Sequence, residues 1–179
     1  LELKAADLKR KAKSIDDIIS REKEAMELDN GQFEVERKQV EATLIASKRW
    51  QGRYEECDEI FGKLYKTFGF RINGKPLNLY YDEGCMDDGG ADIETCVPIR
   101  KGQCSDDFQV RQLDAGECVS LIHKGPYNTV GRSYQKVFDY IKAQGLVAKL
   151  PYREVYIKGP GMIFKGNPKN YLTEIQVMI

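Results

Sequence analysis

The sequence predicts an α+β domain: one strand–strand–helix–strand–strand unit used twice, a ligand cleft between the copies, and a long coiled-coil helix in front. Three observations carry this expectation: a seam of apolar residues at the N-terminus, an internal repeat after it, and a single amphipathic helix in each repeat. One helix lying on one face of a small sheet, twice over, implies an α+β domain with a pseudo-twofold axis. The 179 residues suffice for one domain with a buried core plus an accessory element.

Residues 1 to about 28 read as one helix. Leu1, Ala5, Leu8, Ala12, Ile15, Ile19, Glu22 and Met26 step by four and three, and all but Glu22 are apolar. That 3.5-residue period is a coiled-coil seam, and the Lys-, Glu-, Asp- and Arg-rich remainder is its solvated surface. Asp29-Asn30-Gly31 supplies the stop. We therefore expect residues 1–30 to be a dimerisation helix that makes the protein a homodimer; the alternative is an amphipathic helix packed on its own domain.

The remainder, 31–179, divides into repeat one (32–100) and repeat two (106–179). The first opens with "FEVERKQVEATLIASKRWQGRY" at Phe33, the second with "FQVRQLDAGECVSLIHKGPY" at Phe108. Each gives two strand-like stretches and then a Gly-x-Tyr, Gly52 to Tyr54 and Gly125 to Tyr127. A helical pattern follows: Tyr54, Ile60, Phe61, Leu64, Tyr65 and Phe68 in one copy, Tyr127, Val130, Tyr134, Val137, Phe138 and Ile141 in the other. A strand then starts at Leu77 or Arg153, and a last strand at Ile93 or Thr173. The alignment makes Glu94 equivalent to Glu174, and Asn78 equivalent to Glu154. Two such units side by side leave a cleft at their junction, where small ligands usually bind.

The totals exclude several classes. Basic and acidic residues balance at 28 each, so no global field attracts nucleic acid. No apolar run is long enough to span a membrane, and no cofactor motif is present: "KGPGMIFKGNPKN" lacks the spacing of a phosphate-binding P-loop. The 5 cysteines are widely spaced and form no Cys/His cluster, so no metal is expected and they read as reduced thiols of a cytoplasmic protein. His123, the only histidine, has no evident Ser or Cys partner in the sequence, and no catalytic residue is assigned. The chain opens on Leu1, so it is expected to be part of a longer protein.

"CVSLIHKGPYNTVGRSYQKVFDYI", "PYREVYIKGPG", "NYLTEIQVMI" and "ADIETCVPI" together resemble the GyrI-like effector-binding domain, over about residues 32–179. With the coiled-coil helix in front, the arrangement is similar to the C-terminal portion of MerR-type transcription regulators. The resemblance implies a small-molecule effector bound in the groove between the two units, commonly an aromatic or cationic compound. It also implies that DNA is a partner only through an N-terminal domain missing from this chain. The family's functional acid, in an "ExY" context, maps onto Glu154 with Tyr156 following. The ending "VMI" departs from the more common "VPI" and touches the terminal strand rather than the site.

Strand alternation puts Tyr152, Glu154 and Tyr156 on one face and Arg153, Val155 and Ile157 on the other. A carboxylate removed from water costs several kcal/mol unless paired or neutralised, and a cationic ligand relieves that cost. Aromatic faces add about 0.5–2 kcal/mol each. The expected ligand-binding residues are thus Glu154, Tyr156, Tyr127, Tyr171, Trp50, Tyr80 and Tyr152, with core packing the alternative for each aromatic. Tyr134, inside an apolar helical stripe, is assigned to the core, and Glu94 and Glu174 to solvated or structural roles. The competing function is a GyrI-like hydrolase of reactive small molecules, with Glu154 as general acid/base.

Overall fold

The computed structural model describes residues 33–82, 90–160 and 166–179. The expected coiled-coil helix over 1–30 lies outside the described residues, as do Cys85 and residues 161–165. The described chain runs β1 (Glu36–Val40), β2 (Thr43–Gly52), α1 (Cys57–Phe68), β3 (Leu77–Tyr80), β4 (Ala91–Pro98), β5 (Gln109–Leu113), β6 (Gly116–Lys124), α2 (Gly131–Ala143), β7 (Lys149–Lys158) and β8 (Leu172–Met178). Tyr54 and Tyr127, read from the sequence as helical, sit in short 3-10 turns that lead into α1 and α2. Gly125 precedes the second of these with φ +138°, a conformation that a side chain resists.

All described strands form one antiparallel sheet in the order β1-β6-β8-β7-β3-β4-β2-β5. Two self-contained units are not what is found. Strand β1 pairs with β6 of the second copy, and β5 pairs with β2 of the first. Each copy lends its first strand to the other. The connections then dictate the shape of the sheet. Only Glu41 and Ala42 join β1 to β2, which stand six places apart in the strand order. A flat sheet would separate them by about 29 Å at ~4.8 Å per strand. Three peptide units reach only about 11 Å. The sheet therefore curls until its edges approach, and the equally short link Asp114-Ala115 between β5 and β6 demands the same.

Both helices cover the convex face. Ile60, Leu64 and Phe68 of α1 pack on Ala46, Val97, Ile99 and Phe108. Val137 and Ile141 of α2 pack on Val119, Leu121, Ile175 and Val177. The concave face has its own small core of Ile45, Leu77, Leu79, Cys96 and Leu113. There, each borrowed strand is fastened by an ion pair. Arg111 of β5 donates to Glu94 of β4 at 3.0 and 2.6 Å, and Lys38 of β1 pairs with Glu174 of β8. Arg111 is registered opposite Ile45 and Lys38 opposite Cys118, equivalent positions of β2 and β6, so the two pairs are pseudo-twofold mates. Glu94 and Glu174, left between solvated and structural by the sequence, are buried.

The two copies meet along β3 and β7, with Leu77 opposite Val155, Asn78 opposite Glu154 and Leu79 opposite Arg153. Since Asn78 and Glu154 are equivalent in the repeat, the pseudo-twofold axis passes through that pair.

Candidate functional site

On the helix-covered face the axis emerges between α1 and α2, and the side chains there are those of β3 and β7. Glu154 and Asn78 lie side by side at the bottom, 8% and 1% exposed. The hydroxyls of Tyr80 and Tyr156 each donate to Glu154 Oε2 at 3.2 Å, and the two oxygens stand 3.2 Å from one another. Asn78 Nδ2 donates to both, at 3.3 and 3.0 Å, and also to Cys57 Sγ at 3.2 Å. The network therefore has one direction, from carboxamide to phenols to carboxylate.

Above this floor stand aromatic walls related by the same axis. Tyr54 meets the Tyr80 ring edge-on at 5.7 Å, and Tyr127 meets that of Tyr156 at 5.6 Å. Tyr54 and Tyr127 are the tyrosines of the two Gly-x-Tyr turns, and at 42% and 39% exposure they form the mouth. Phe61 of α1 reaches Tyr156, Tyr171 reaches Tyr127, and Tyr152 packs with Tyr134 and Phe138 of α2. A Cβ at Gly159 would stand 2.7 Å from the Tyr127 hydroxyl, so any larger residue there would push the Tyr127 side chain aside.

The electrostatics follow from burial. Desolvation pushes the Glu154 carboxyl above the usual carboxylate range, while hydrogen bonding by Tyr134, Tyr156 and Tyr80 works in the opposite direction. No cation among the described residues is paired with it. Burial also pushes Tyr80, Tyr134 and Tyr156 well above the ordinary phenol value, with the nearby Glu154 charge reinforcing the effect. These phenols stay neutral and act as hydrogen-bond donors. The Cys57 thiol is pushed up to about 11 by burial, which leaves it protonated and unreactive at neutral pH.

The seven residues expected from the sequence are not equally placed. Glu154, Tyr80 and Tyr156 share one hydrogen-bonded cluster, Tyr127 and Tyr171 line its wall, and Tyr152 lies one step along β7 against α2. Trp50 stands apart from the carboxylate. Its indole N–H donates to Thr95 Oγ1 at 3.1 Å and its ring packs beside Cys57, Tyr80, Ala91 and Ile93, bracing the floor from beneath α1. Sequence reasoning missed Tyr54 as a wall residue, although the repeat makes it the mate of Tyr127. Tyr134, assigned to the core, does pack there, and its hydroxyl also reaches Glu154.

Elsewhere, His123 Nδ1 lies 2.9 Å from Ser133 Oγ, a partner ten residues on that the strand context concealed. Burial keeps this imidazole below its ordinary pKa, and Thr129 and Pro126 hold its other nitrogen, so the ring ties the entrance of α2 to β6. A depression of about 530 Å³ lies beside it, and another of about 400 Å³ lies beside Phe68 and Arg71. Neither is lined by Glu154 or its tyrosines. The chemical groups converge on the axis, and we place the candidate site there. Among the described residues no cluster could hold a metal ion, and no helix is long and apolar enough to cross a membrane.

Comparisons with known proteins agree with this architecture. Among solved structures the chain is similar to EcmrR in the EcmrR-DNA complex of EcmrR-RPo (TM-score 0.71, 20% identity, covering 99% of this chain and 70% of that one). It is equally similar to the isolated EcmrR C-terminal domain (TM-score 0.71, 21% identity, 83% and 98% coverage). A hydrolase from Listeria innocua shares the fold (TM-score 0.59, 14% identity, 87% and 96%). So does SAV2435 bound to tetraphenylphosphonium (TM-score 0.52, 16% identity, 81% and 93%). No curated protein matches by sequence. The profile of the GyrI-like small molecule binding domain matches residues 33–179, both repeats in full, and the chain belongs to that family.

Proposed function

We propose that this domain senses aromatic or cationic small molecules for a dimeric MerR-type transcription regulator, with Glu154 as the anchor for the ligand's positive charge. One observation carries the reading: a deeply buried carboxylate with phenol partners and, among the described residues, no cation beside it. Such a group is costly to ionise in the empty site, and a bound cation relieves that cost. Tyr54, Tyr80, Tyr127, Tyr156 and Tyr171 supply ring surface around it, which suits a flat or aryl-substituted ligand. In this reading residues 1–30 join two copies, DNA is contacted through a domain outside this chain, and the ligand shifts the dimer by its unequal affinity for two states. Sedimentation of the chain at twice its 20.5 kDa mass is the expected outcome for the dimer, and a monomer contradicts it.

Calorimetric titration with tetraphenylphosphonium tests the site. Glu154→Gln keeps the shape and the hydrogen bonds but removes the charge, and it is expected to weaken binding tenfold or more, about 1.4 kcal/mol. Unchanged affinity in the variant would show that the carboxylate is not the anchor. Turnover of a reactive electrophile, lost in the same variant, would favour the hydrolase reading.

A further inference from the structure

We infer that the site is built for cations that carry N–H donors, such as amidinium or primary ammonium groups, and that Asn78 reads those donors. The inference rests on the cation-binding reading above and concerns which cations are preferred.

Asn78 is 1% exposed, and its Oδ1 is a buried acceptor without a hydrogen-bond partner among the described residues. Its orientation is set by the other end of the amide. Nδ2 meets Cys57 Sγ, Tyr80 Oη and Tyr156 Oη, and both phenol protons point onward to Glu154. Turning the amide over would set Oδ1 against two phenol oxygens whose protons are committed to Glu154, leaving it only the weak Cys57 S–H as a donor. Buried acceptors are rarely left unpaired, because the loss of water is then uncompensated. Here the residue that carries the unpaired oxygen sits on the strand neighbouring Glu154, directly opposite it in register and on the same face. A carboxylate and an amide oxygen side by side form a two-point acceptor. An amidinium or ammonium satisfies both points, whereas a quaternary cation satisfies only the charge.

The repeat explains why the second acceptor is neutral. On a pseudo-twofold axis equivalent residues face each other, so two glutamates here would put like charges directly opposite in a buried place. Asparagine keeps the acceptor and drops the charge. Thr173 Oγ1, on β8 opposite Tyr156, is a further buried hydroxyl with no partner on the same face, which adds to the unmet hydrogen-bonding capacity there.

The test compares two aryl cations of similar size, benzamidinium and phenyltrimethylammonium, by calorimetry on the whole chain. Wild type should bind benzamidinium at least tenfold more tightly. Asn78→Leu should reduce that preference, the ratio of the two affinities, to less than threefold whatever the absolute affinities, with near-ultraviolet circular dichroism reporting that the fold is intact. Equal affinities in wild type would overturn the inference without any variant, as would a preference that survives Asn78→Leu. If neither cation binds, or Glu154→Gln binds both as well as wild type does, it is the cation-binding reading itself that fails, and this inference fails with it.

Discussion

Glu154 and Glu94 are both buried carboxylates, yet their surroundings shift them in opposite directions. Burial alone would raise Glu94, but the bidentate Arg111 guanidinium and the Tyr81 hydroxyl hold it below its ordinary value. Glu154 has only phenols to offset its burial, and it stays raised. The linkage has opposite signs. A raised acid binds its proton more tightly folded than unfolded, so stability falls as pH climbs from the ordinary carboxylate pKa through the folded one. Glu154→Gln removes that dependence. The variant is expected to melt above wild type at pH 8 and level with it near pH 4, as thermal unfolding at the two values would reveal. A variant less stable at pH 8 than at pH 4, each relative to wild type, would contradict this sign. Tyr54 and Asn78 show the limits of sequence reading at this scale. Alternation assigns a residue to a face, but not the partner of its polar end, so the direction of the Asn78 amide emerged only with the phenols in place.

At the scale of elements, periodicity was enough to find both helices and most strands, because each has one apolar face and reports its own burial. Ile60, Leu64 and Phe68 are buried as their spacing implies, and so are Val137 and Ile141. The exchange of β1 and β5 was not legible, since alternation says which side of a strand faces inward and nothing about its neighbour. The two ion pairs hold those borrowed strands. Removing one partner of a buried pair strands the other charge, at about 3–5 kcal/mol when both are fully buried. Arg111 is about one-third exposed, which puts Glu94→Ala near the lower end of that range. Glu174→Ala should cost less, because Glu174 is less buried than Glu94 and Lys38 is a single point charge where Arg111 makes a two-point contact. Urea denaturation measures both. A cost for Glu94→Ala within about 0.5 kcal/mol, the range of ordinary surface changes, would contradict the fastening role. Because the Glu94 contribution comes from a lowered acid, it is present above the ordinary carboxylate range and disappears as pH falls through the folded value.

For the whole molecule, duplication supplies a symmetric frame, and the proposed ligand site lies where the symmetry breaks. Most features come in pairs: Tyr54 with Tyr127 and Tyr80 with Tyr156 at the candidate site, Arg111–Glu94 with Lys38–Glu174 on the other face of the sheet. On the axis itself the pair is unequal, Asn78 against Glu154. That inequality was visible in the aligned repeats, but its position on the axis follows from the β3–β7 register, which no local pattern encodes. A single carboxylate there allows one cation to be held between two tyrosine pairs without a second charge to neutralise. The most direct test is the pH dependence of affinity for a permanently charged aryl cation, in wild type and in Glu154→Gln. If the ligand reads the carboxylate charge, wild-type affinity rises about tenfold per pH unit below the Glu154 pKa and levels off above it, while the variant is flat throughout. Parallel profiles for the two proteins would show that the cation is held by something other than Glu154.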